Sequence, residues 1–147
     1  MLQHYFYNEI TLQKNPLKIS GEYKEFLERC IAVVEQHLDD ETFNVGTLAS
    51  ALGMSHSTLY KKVKSISGQS VNGFIRFIRL RKAAELLINT NTNVNEAATQ
   101  VGFNSSKYFR EQFAKLFGIN PSEYIKKYKK AFGKSFHLNQ DGYKRGV

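Results

Sequence analysis

The sequence predicts an all-α fold of two helix-turn-helix subdomains, each resembling a homeodomain-like unit of three helices, joined by a long helix. Three observations predict it. Apolar residues recur at helical spacing along most of the chain. No segment shows strand alternation bounded by hairpin turns. One helical pattern with two glycines occurs twice. Two copies are too few for a solenoid, which needs at least three repeats.

The first predicted helix begins at Glu22 and ends near the acidic run 39–41. Its apolar residues fall at positions i, i+3, i+4, i+7 and i+11, which places them on one face of a helix. These residues are Leu27, Cys30, Ile31, Val34 and Leu38. The spacing indicates an amphipathic helix.

Three more helices are predicted between this acidic run and the polar run 89–93. A short helix over 45–52 has Asn44 as its N-cap and Gly53 at the left-handed position that ends it. A second helix covers 55–66 with Ser55 as its cap, and a long helix covers 71–88 and ends at the polar run 89–93. The residues expected to face inward in the two shorter helices are Leu48, Ala49, Leu52, Leu59 and Val63.

The residues after the polar run repeat those before it, first at an offset of 49 and then, after one inserted residue, at an offset of 50. At the first offset, Asn44-Val45, Leu48-Ala49 and Leu52-Gly53 match Asn93-Val94, Ala97-Ala98 and Val101-Gly102. At the second, Leu59, Val63, Gly68, Phe74 and Ile75 match Phe109, Phe113, Gly118, Tyr124 and Ile125. Each copy has the order of a helix-turn-helix unit, and Pro121 begins the last helix.

These patterns divide the chain into five segments. We expect an N-terminal linker or extension over 1–21, a first helix-turn-helix unit over 22–69 and a linker helix over 70–89. A second unit covers 90–130, and residues 131–147 form a tail. The tail is expected to be flexible because it combines three glycines with mixed polar residues.

The net charge of +8 is unevenly distributed. Residues 1–54 carry a net −4, with 4 Lys/Arg against 8 Asp/Glu, whereas residues 55–130 carry a net +10, with 14 against 4. A positive field concentrated in one part of a chain favours an anionic partner. Double-stranded DNA fits this field, because phosphates dominate electrostatic affinity for nucleic acid. The alternative is a basic surface that has no partner.

Several classes of protein are disfavoured by composition. The one cysteine, Cys30, excludes an internal disulfide and lies on an apolar helix face, where it is expected to belong to the core. The longest apolar run is far shorter than the roughly 20 residues that span a bilayer. The N-terminal residues lack the basic and apolar regions of a signal peptide. We therefore expect a cytoplasmic protein with no membrane partner.

The outward faces of two helices are candidates for reading DNA. If Leu59 and Val63 are buried, the residues that turn outward together form a first stripe, made of Ser57, Tyr60, Lys61 and Lys64. If Phe109 and Phe113 are buried, the corresponding second stripe is made of Lys107, Arg110, Glu111 and Ala114. An α-helix fits the major groove, where Lys and Arg donate to guanine, and Tyr60 either forms a hydrogen bond or packs on a thymine methyl. The alternative is that both stripes are only solvated faces.

Glu111 is the ambiguous member of the second stripe. A carboxylate only accepts hydrogen bonds, so one role is to accept from the amino group of cytosine. The other roles left open are repulsion of DNA and pairing with a neighbouring Arg or Lys.

Other basic residues are candidates for phosphate contacts. His56 lies next to the first stripe, and the long helix carries Arg76, Arg79, Arg81 and Lys82. These four either bind phosphate, pair with Glu85 or cap carbonyl groups, and the sequence leaves the choice open. The last helix carries Lys126, Lys127, Lys129 and Lys130, a solvated or phosphate-facing end. We retain His56, Arg76, Lys126 and Lys127 as the phosphate candidates.

No pattern predicts catalysis, a cofactor or a metal site. The four histidines, His4, His37, His56 and His137, lack metal-ligand spacing. Gly133-Lys134-Ser135 is not a phosphate loop, because Tyr128 stands where that motif requires a glycine. We therefore expect a protein that is not an enzyme.

Residues from about 24 to 130 resemble the DNA-binding domain of the AraC/XylS family of bacterial transcription regulators. In the first half, the motifs that carry the resemblance are Leu48-Ala49, Leu52-Gly53-Met54-Ser55, Leu59-Tyr60-Lys61-Lys62-Val63, Gly68-Gln69-Ser70, Phe74-Ile75-Arg76, Arg79-Leu80, Ala83-Ala84 and Leu86-Leu87. In the second half they are Val101-Gly102-Phe103, Tyr108-Phe109, Gln112-Phe113, Phe117-Gly118 and Pro121-Ser122-Glu123-Tyr124.

The resemblance implies that one helix of each unit enters a major-groove segment on one face of DNA. Carried over by position, the first would read with Ser57, Tyr60 and Lys61, and the second with Ser106, Lys107, Arg110 and Glu111. The chain departs from the family at Glu111, where a basic residue is common. Residues 1–23 resemble, more weakly, the segment between a receiver and such an output domain in Bacteroidetes-type hybrid two-component regulators. This implies receiver or sensor domains upstream that the chain lacks.

We therefore expect sequence-specific binding to double-stranded DNA, at a non-palindromic site that two unlike recognition helices read about one helical turn apart. RNA polymerase is a further candidate partner, and the fragment is expected to be monomeric. The alternative is a helical protein-interaction module with only non-specific affinity for DNA. A recombinase is disfavoured, because the chain is too short to hold a catalytic domain beside two such units.

Overall fold

The helices begin and end close to where their capping residues predict. A computed structural model of the chain describes residues 21–40 and 42–129, and these residues contain helices and no strand. The helices are α1 (Gly21–Gln36), α2 (Val45–Leu52), α3 (His56–Ser67), α4 (Val71–Asn89), α5 (Val94–Gln100), α6 (Ser106–Phe117) and α7 (Pro121–Tyr124). A π-helical segment, Ile125–Lys129, follows α7. The predicted all-α class is confirmed. Our expectations for residues 1–20 and 130–147 lie outside the described residues.

The chain divides into two units within the long helix. Unit 1 is Met1–Arg81 and unit 2 is Lys82–Val147, so α4 contributes its first part to unit 1 and its last part to unit 2. Each unit has its own buried apolar residues, and each contains one of the two helix-turn-helix repeats.

The core of unit 1 contains the residues that the helical spacing predicts. All five inward-facing residues of α2 and α3 are buried, and Leu48, Leu59 and Val63 have no exposed surface. In α1, Phe26, Leu27, Cys30 and Val34 are buried, whereas Ile31 is only half-buried. The helix ends at Gln36, before the acidic run where its end was predicted, so the half-buried Leu38 lies outside it.

The core of unit 2 is dominated by aromatic rings. Phe109 and Phe113 are fully buried with ring centroids 5.7 Å apart. Phe113 also lies 4.5 Å from Phe117 and 5.2 Å, edge to face, from Tyr124. Aromatic pairs at such distances and tilts stabilise a core beyond the area they bury. This cluster holds α6, the second helix of the repeat, against α7.

The repeat extends to the hydrogen bonds that cap each helix. Asn44 accepts from the backbone of Thr47, and the equivalent Asn93 accepts from Glu96. Ser55 and its equivalent Ser105 cap α3 and α6 in the same way. Gly68 and Gly118 end these two helices with φ of 75° and 84°, a conformation that favours glycine. These local caps explain why α3 and α6 have equivalent boundaries, whereas α5 ends one residue earlier in the repeat than α2.

The last described segment, Ile125–Lys129, differs from the prediction at Lys129. The sequence places Lys129 on a solvated or phosphate-facing end, but its Nζ donates to the backbone carbonyl of Thr90 at 2.7 Å. This bond joins the π-helical segment to the end of α4. Lys129 therefore has a structural contact that the sequence pattern does not indicate.

Cys30 makes the stability of unit 1 sensitive to alkaline pH. Burial raises the pKa of this thiol from 9.0 to about 12, and Arg29 opposes the shift. As the pH rises from about 9 to 12, the unfolded chain releases the thiol proton before the native state does, so the free energy of unfolding falls. We expect a loss of about 2 kcal/mol between about pH 8 and pH 10.5 from this group. Urea unfolding at both pH values measures it. Cys30→Ala should lose less over the same interval, and an equal loss in both proteins would contradict the assignment.

Asn93 stabilises α5 through a reciprocal cap. Its Oδ1 accepts from the Glu96 backbone at 2.8 Å, and Glu96 Oε1 accepts from the Asn93 backbone at 3.0 Å. Replacing such a cap with alanine costs about 0.5–2 kcal/mol. We therefore expect Asn93→Ala to lower the free energy of urea unfolding by that amount. The matched control is Asn91→Ala, an exposed asparagine outside the helix, which should change stability little. Equal effects of the two substitutions would show that the cap has no special role.

Candidate nucleic-acid interface

Helix α3 exposes the whole first stripe. Its N-terminus is held by the Ser55 cap, and the burial of Leu59 and Val63 turns the opposite face outward. The structure places Ser57, Tyr60, Lys61 and Lys64 on that exposed face. Tyr60 is 52% exposed, which is unusual for so large an apolar ring. Polar, basic and aromatic groups therefore share one accessible strip of helix.

The three lysines of α3 have different local partners. Lys62 turns towards α1, where its Nζ lies 3.8 Å from a Glu22 carboxylate oxygen and 5.4 Å from the centre of the Phe26 ring. Lys64 Nζ donates to the carbonyl of Gly68 at 3.2 Å, at the end of its own helix. The Lys61 side chain has no hydrogen bond or ion pair to any residue in the described ranges. Lys61 is therefore the lysine of the first stripe that is most available to a ligand.

Helix α6 presents the second stripe in the same way. The Ser105 cap and the burial of Phe109 and Phe113 leave Lys107, Arg110 and Glu111 exposed, while Ser106 and Ala114 are half-exposed. In the repeat, Lys107 occupies the position of Ser57, Arg110 that of Tyr60, and Glu111 that of Lys61. The two stripes therefore have the same geometry on their helices and different chemistry.

The structure reduces the three roles left open for Glu111 to two. Its carboxylate is exposed and makes no ion pair with the described basic side chains of either range. No Arg or Lys among the described residues therefore neutralises it. The two remaining roles are acceptance from a base and repulsion of phosphate.

Asn95 is a functional candidate that sequence reasoning missed. It is the second residue of α5, and its Oδ1 accepts hydrogen bonds from both Ser106 Oγ and Arg110 Nη2, the latter at 3.0 Å. The repeat offers one signal: Asn95 stands where the first unit has Gly46. Because unit 2 has a side chain at this position and unit 1 has only a glycine, unit 2 can make a contact here that unit 1 cannot.

The corresponding region of unit 1 is occupied by His56. This residue begins α3 and is exposed, and its position matches that of Ser106. A Cβ added at Gly46 would lie 3.5 Å from His56 Nε2 and 3.2 Å from Asn44 Oδ1. The imidazole therefore lies beside the first turn of α2, at the edge of the first stripe.

Two basic residues of α4, Arg81 and Lys82, form ion pairs. Arg81 Nη1 donates to Glu35 Oε2 at 2.8 Å, and Lys82 donates to Glu85 at the same distance. The ion pair of Arg81 is thus with α1 rather than with Glu85. Partial burial lowers the pKa of Arg79, and the Asp40 carboxylate opposes that shift.

Arg76 lies near the N-terminus of α4. A Cβ added at Gly73 would lie 3.5 Å from Arg76 Nη2, 3.1 Å from Gln69 Oε1 and 3.3 Å from Ser70 Oγ. The guanidinium group therefore shares a small polar region with two side chains of the preceding turn.

At the other end of the described chain, Lys126 and Lys127 are both exposed. The Lys127 amine lies 5.4 Å from the centre of the Tyr128 ring. Both amines are accessible to a phosphate.

Neither a metal centre nor a membrane span is found in the part of the chain that the structure describes. Its His, Cys, Asp and Glu residues form no group of three or more suited to a metal ion. Its helices include none that is long and apolar enough to cross a bilayer.

Residues 48–127 match the model of a family described as a helix-turn-helix domain. Over 127 residues the chain is 35% identical to histidine kinase P4 of Formosa agariphila, covering 86% of this chain and 9% of that protein. Over 117 residues it is 31% identical to the HTH-type transcriptional regulator MtrA of Neisseria gonorrhoeae, covering 78% of this chain and 39% of MtrA. The chain thus spans well under half the length of these two relatives.

Solved structures share the fold. An AraC-type transcriptional regulator from Chromobacterium violaceum superposes with a TM-score of 0.64 at 21% identity, covering 72% of this chain and 94% of that one. The DNA-binding domain of AdpA, a global transcriptional factor solved in complex with a target DNA, superposes with a TM-score of 0.60 at 28% identity. That alignment covers 71% of this chain and 94% of the AdpA domain.

Proposed function

This chain belongs to the AraC/XylS family of DNA-binding transcription regulators, and we propose that its two units read the two halves of a non-palindromic operator. The observation that supports this proposal is the unlike chemistry of two stripes held at equivalent positions on α3 and α6. A palindrome requires the same side chains twice, as in a two-fold symmetric dimer. Two different stripes on one chain require two different half-sites.

Each stripe has a matching base preference. In unit 1, Lys61 donates to guanine O6 or N7, and the exposed Tyr60 ring packs on a thymine methyl. In unit 2, Arg110 offers two donors in the fork that fits guanine O6 and N7. Glu111 accepts from the amino group of cytosine, so the second half-site is expected to be richer in G·C pairs.

Phosphate contacts fix the two helices on the duplex. We assign these contacts to His56, Arg76, Lys126 and Lys127. Each phosphate contact that a cation makes steepens the fall of affinity with salt. Removing Lys126 and Lys127 together should weaken binding to all sequences alike and flatten that salt dependence.

Selection of binding sites from a random duplex pool, at near-physiological salt, tests the proposal. We expect two enriched blocks of different sequence whose centres lie about 10 bp apart, one turn of B-DNA. One enriched block would show that a single unit reads bases. The absence of enrichment would overturn the proposal and favour a helical protein-interaction module with only non-specific affinity for DNA.

The likeness to a histidine kinase supports a place in a two-component system. We propose that the chain is the output domain of a hybrid regulator whose receiver and sensor domains precede it. Fusing the chain to its native upstream sequence and phosphorylating the receiver should raise operator affinity. Unchanged affinity would contradict this role.

The remaining assignments follow from the proposed role. A regulator of this kind acts on DNA in the bacterial cytoplasm, with RNA polymerase as its second partner. We propose that this chain is a monomer, since its two units supply both half-site readers. Sedimentation in the absence of DNA tests this, and a stable dimer would contradict it.

A further inference from the structure

We propose that Asn95 is a positioning residue for base reading: it orients the Arg110 side chain before DNA is bound. This inference rests on the proposed function of the second stripe and adds a residue outside that stripe. Asn95 lies on α5, while Arg110 lies one turn into α6 and is 15 residues further along the chain. The contact therefore joins the two helices of the helix-turn-helix motif.

In this hydrogen bond Arg110 is the donor and Asn95 is the acceptor. A guanidinium group has donors only, so it requires an acceptor, and Asn95 Oδ1 accepts from Arg110 Nη2 at 3.0 Å. The hydroxyl of Ser106 donates to the same oxygen. Two donors from α6 thus orient the Asn95 amide with its oxygen towards the recognition helix.

The backbone of Asn95 is also fixed. It lies two residues after the Asn93 cap, and its carbonyl accepts from Thr99 Oγ1 at 3.2 Å. The oxygen that holds Arg110 is therefore attached to the first turn of α5, which the Asn93 capping box stabilises.

Orientation matters because Arg110 is long and exposed. A free arginine side chain loses much of its rotamer freedom when it is immobilised on a base. A side chain that is already held at one end of its fork loses less, and preorganisation of this kind improves affinity and selectivity. The planar group keeps donors for guanine while one donor is engaged by Asn95.

Unit 1 lacks a side chain equivalent to that of Asn95. Gly46 occupies the position of Asn95 and offers no side chain, and a Cβ there would already contact Asn44 and His56. Tyr60, at the position of Arg110, has only two side-chain torsions and needs less external orientation. The orienting hydrogen bond is therefore present in the unit whose base-reading side chain is flexible.

The first test follows Arg110 in the DNA-free protein. NMR relaxation of the Arg110 Nε–H group should show the extra order that the hydrogen bond to Asn95 gives to this side chain. Asn95→Ala should remove that extra order, and Asn95→Asp, which keeps an acceptor oxygen at the same place, should retain it. Unchanged order in Asn95→Ala would overturn the proposal whether or not the protein selects an operator.

The second test measures discrimination. Arg110→Ala first identifies the base pair that Arg110 reads, as the one position at which this variant no longer prefers one base pair over the others. For each variant, the Kd for the operator altered at that base pair is then divided by the Kd for the unaltered operator. Asn95→Ala should lower this ratio about 2-fold to 10-fold, the value of one hydrogen bond. In the Arg110→Ala background, Asn95→Ala should have no further effect.

Three controls separate positioning from other roles. Ser106→Ala removes the other donor to Asn95 and should change the ratio less than Asn95→Ala. Thermal unfolding of each variant excludes loss of the fold. An effect of Asn95→Ala that persists in the Arg110→Ala background would mean that Asn95 touches DNA itself or stabilises α5, and would overturn the proposal. If the wild-type protein showed no preference for any DNA sequence, the proposed function would be contradicted instead. The relaxation test would then decide the role of Asn95.

Discussion

Arg110→Ala should weaken binding to the selected operator by about 1–3 kcal/mol, which is about 5-fold to 150-fold in Kd. The reason is the loss of a fork of donors on the exposed face of α6, because the alanine methyl group cannot donate hydrogen bonds. Competition binding with operators altered one base pair at a time measures the effect. Preference should disappear at one position of the second block and remain throughout the first.

Two variants serve as controls for this result. Arg110→Lys keeps the charge and loses the planar fork, so it should recover non-specific affinity but little preference. Lys61→Ala should have an effect of similar size in the first block and none in the second. If Arg110→Ala weakened binding equally on every sequence, Arg110 would be a phosphate contact and the second half-site would have to be read by other residues.

Phe113→Ala should lower the free energy of unfolding of unit 2 by about 3–5 kcal/mol. Phe113 is fully buried, and its ring contacts Phe109, Phe117 and Tyr124 at once, so truncation leaves a cavity that three rings surround. A whole domain is stable by only about 5–15 kcal/mol, so the variant is expected to populate unfolded forms of unit 2. Urea unfolding followed by circular dichroism measures the loss.

Phe117→Ala is the matched control for this prediction. Phe117 belongs to the same cluster, 5.2 Å from Tyr124, but it is only half-buried. Its truncation exposes the neighbouring rings to water rather than creating a closed cavity, so it should cost clearly less. Equal losses from the two substitutions would show that Phe113 is not the centre of the core.

The helices and their inward faces were largely predictable from sequence, because both depend on nearby residues. An N-cap such as Asn44 or Ser55 is recognised within four residues of chain, and Pro121 begins a helix for a local reason. Because the pattern is repeated, these local features occur in both units. The burial of Leu59 and Phe109 follows from helical spacing, and so does the exposure of the faces opposite them.

The side-chain contacts between helices were not predictable in the same way. The pairing of Arg81 with Glu35 joins residues 46 positions apart, and that of Arg110 with Asn95 joins two different helices. Spacing assigns a residue to a face, but which partner it reaches depends on the placement of the next helix and on the rotamer. For the same reason the contact of Lys129 with Thr90 could not be separated from a role in binding phosphate.

The contrast between Asn95 and Gly46 has a consequence for how this protein can evolve. On α3, the side chains of Ser57, Tyr60 and Lys61 have no hydrogen bond to any residue in 21–40 or 42–129, so each can be exchanged without disturbing a structural partner. Single mutations there are free to alter the preferred target while the fold is maintained. On α6, a substitution of Arg110 also removes one of the two hydrogen bonds that Asn95 Oδ1 accepts, so it disturbs a contact between α5 and α6. Over generations the half-site read by unit 1 should therefore drift between related regulators faster than the half-site read by unit 2.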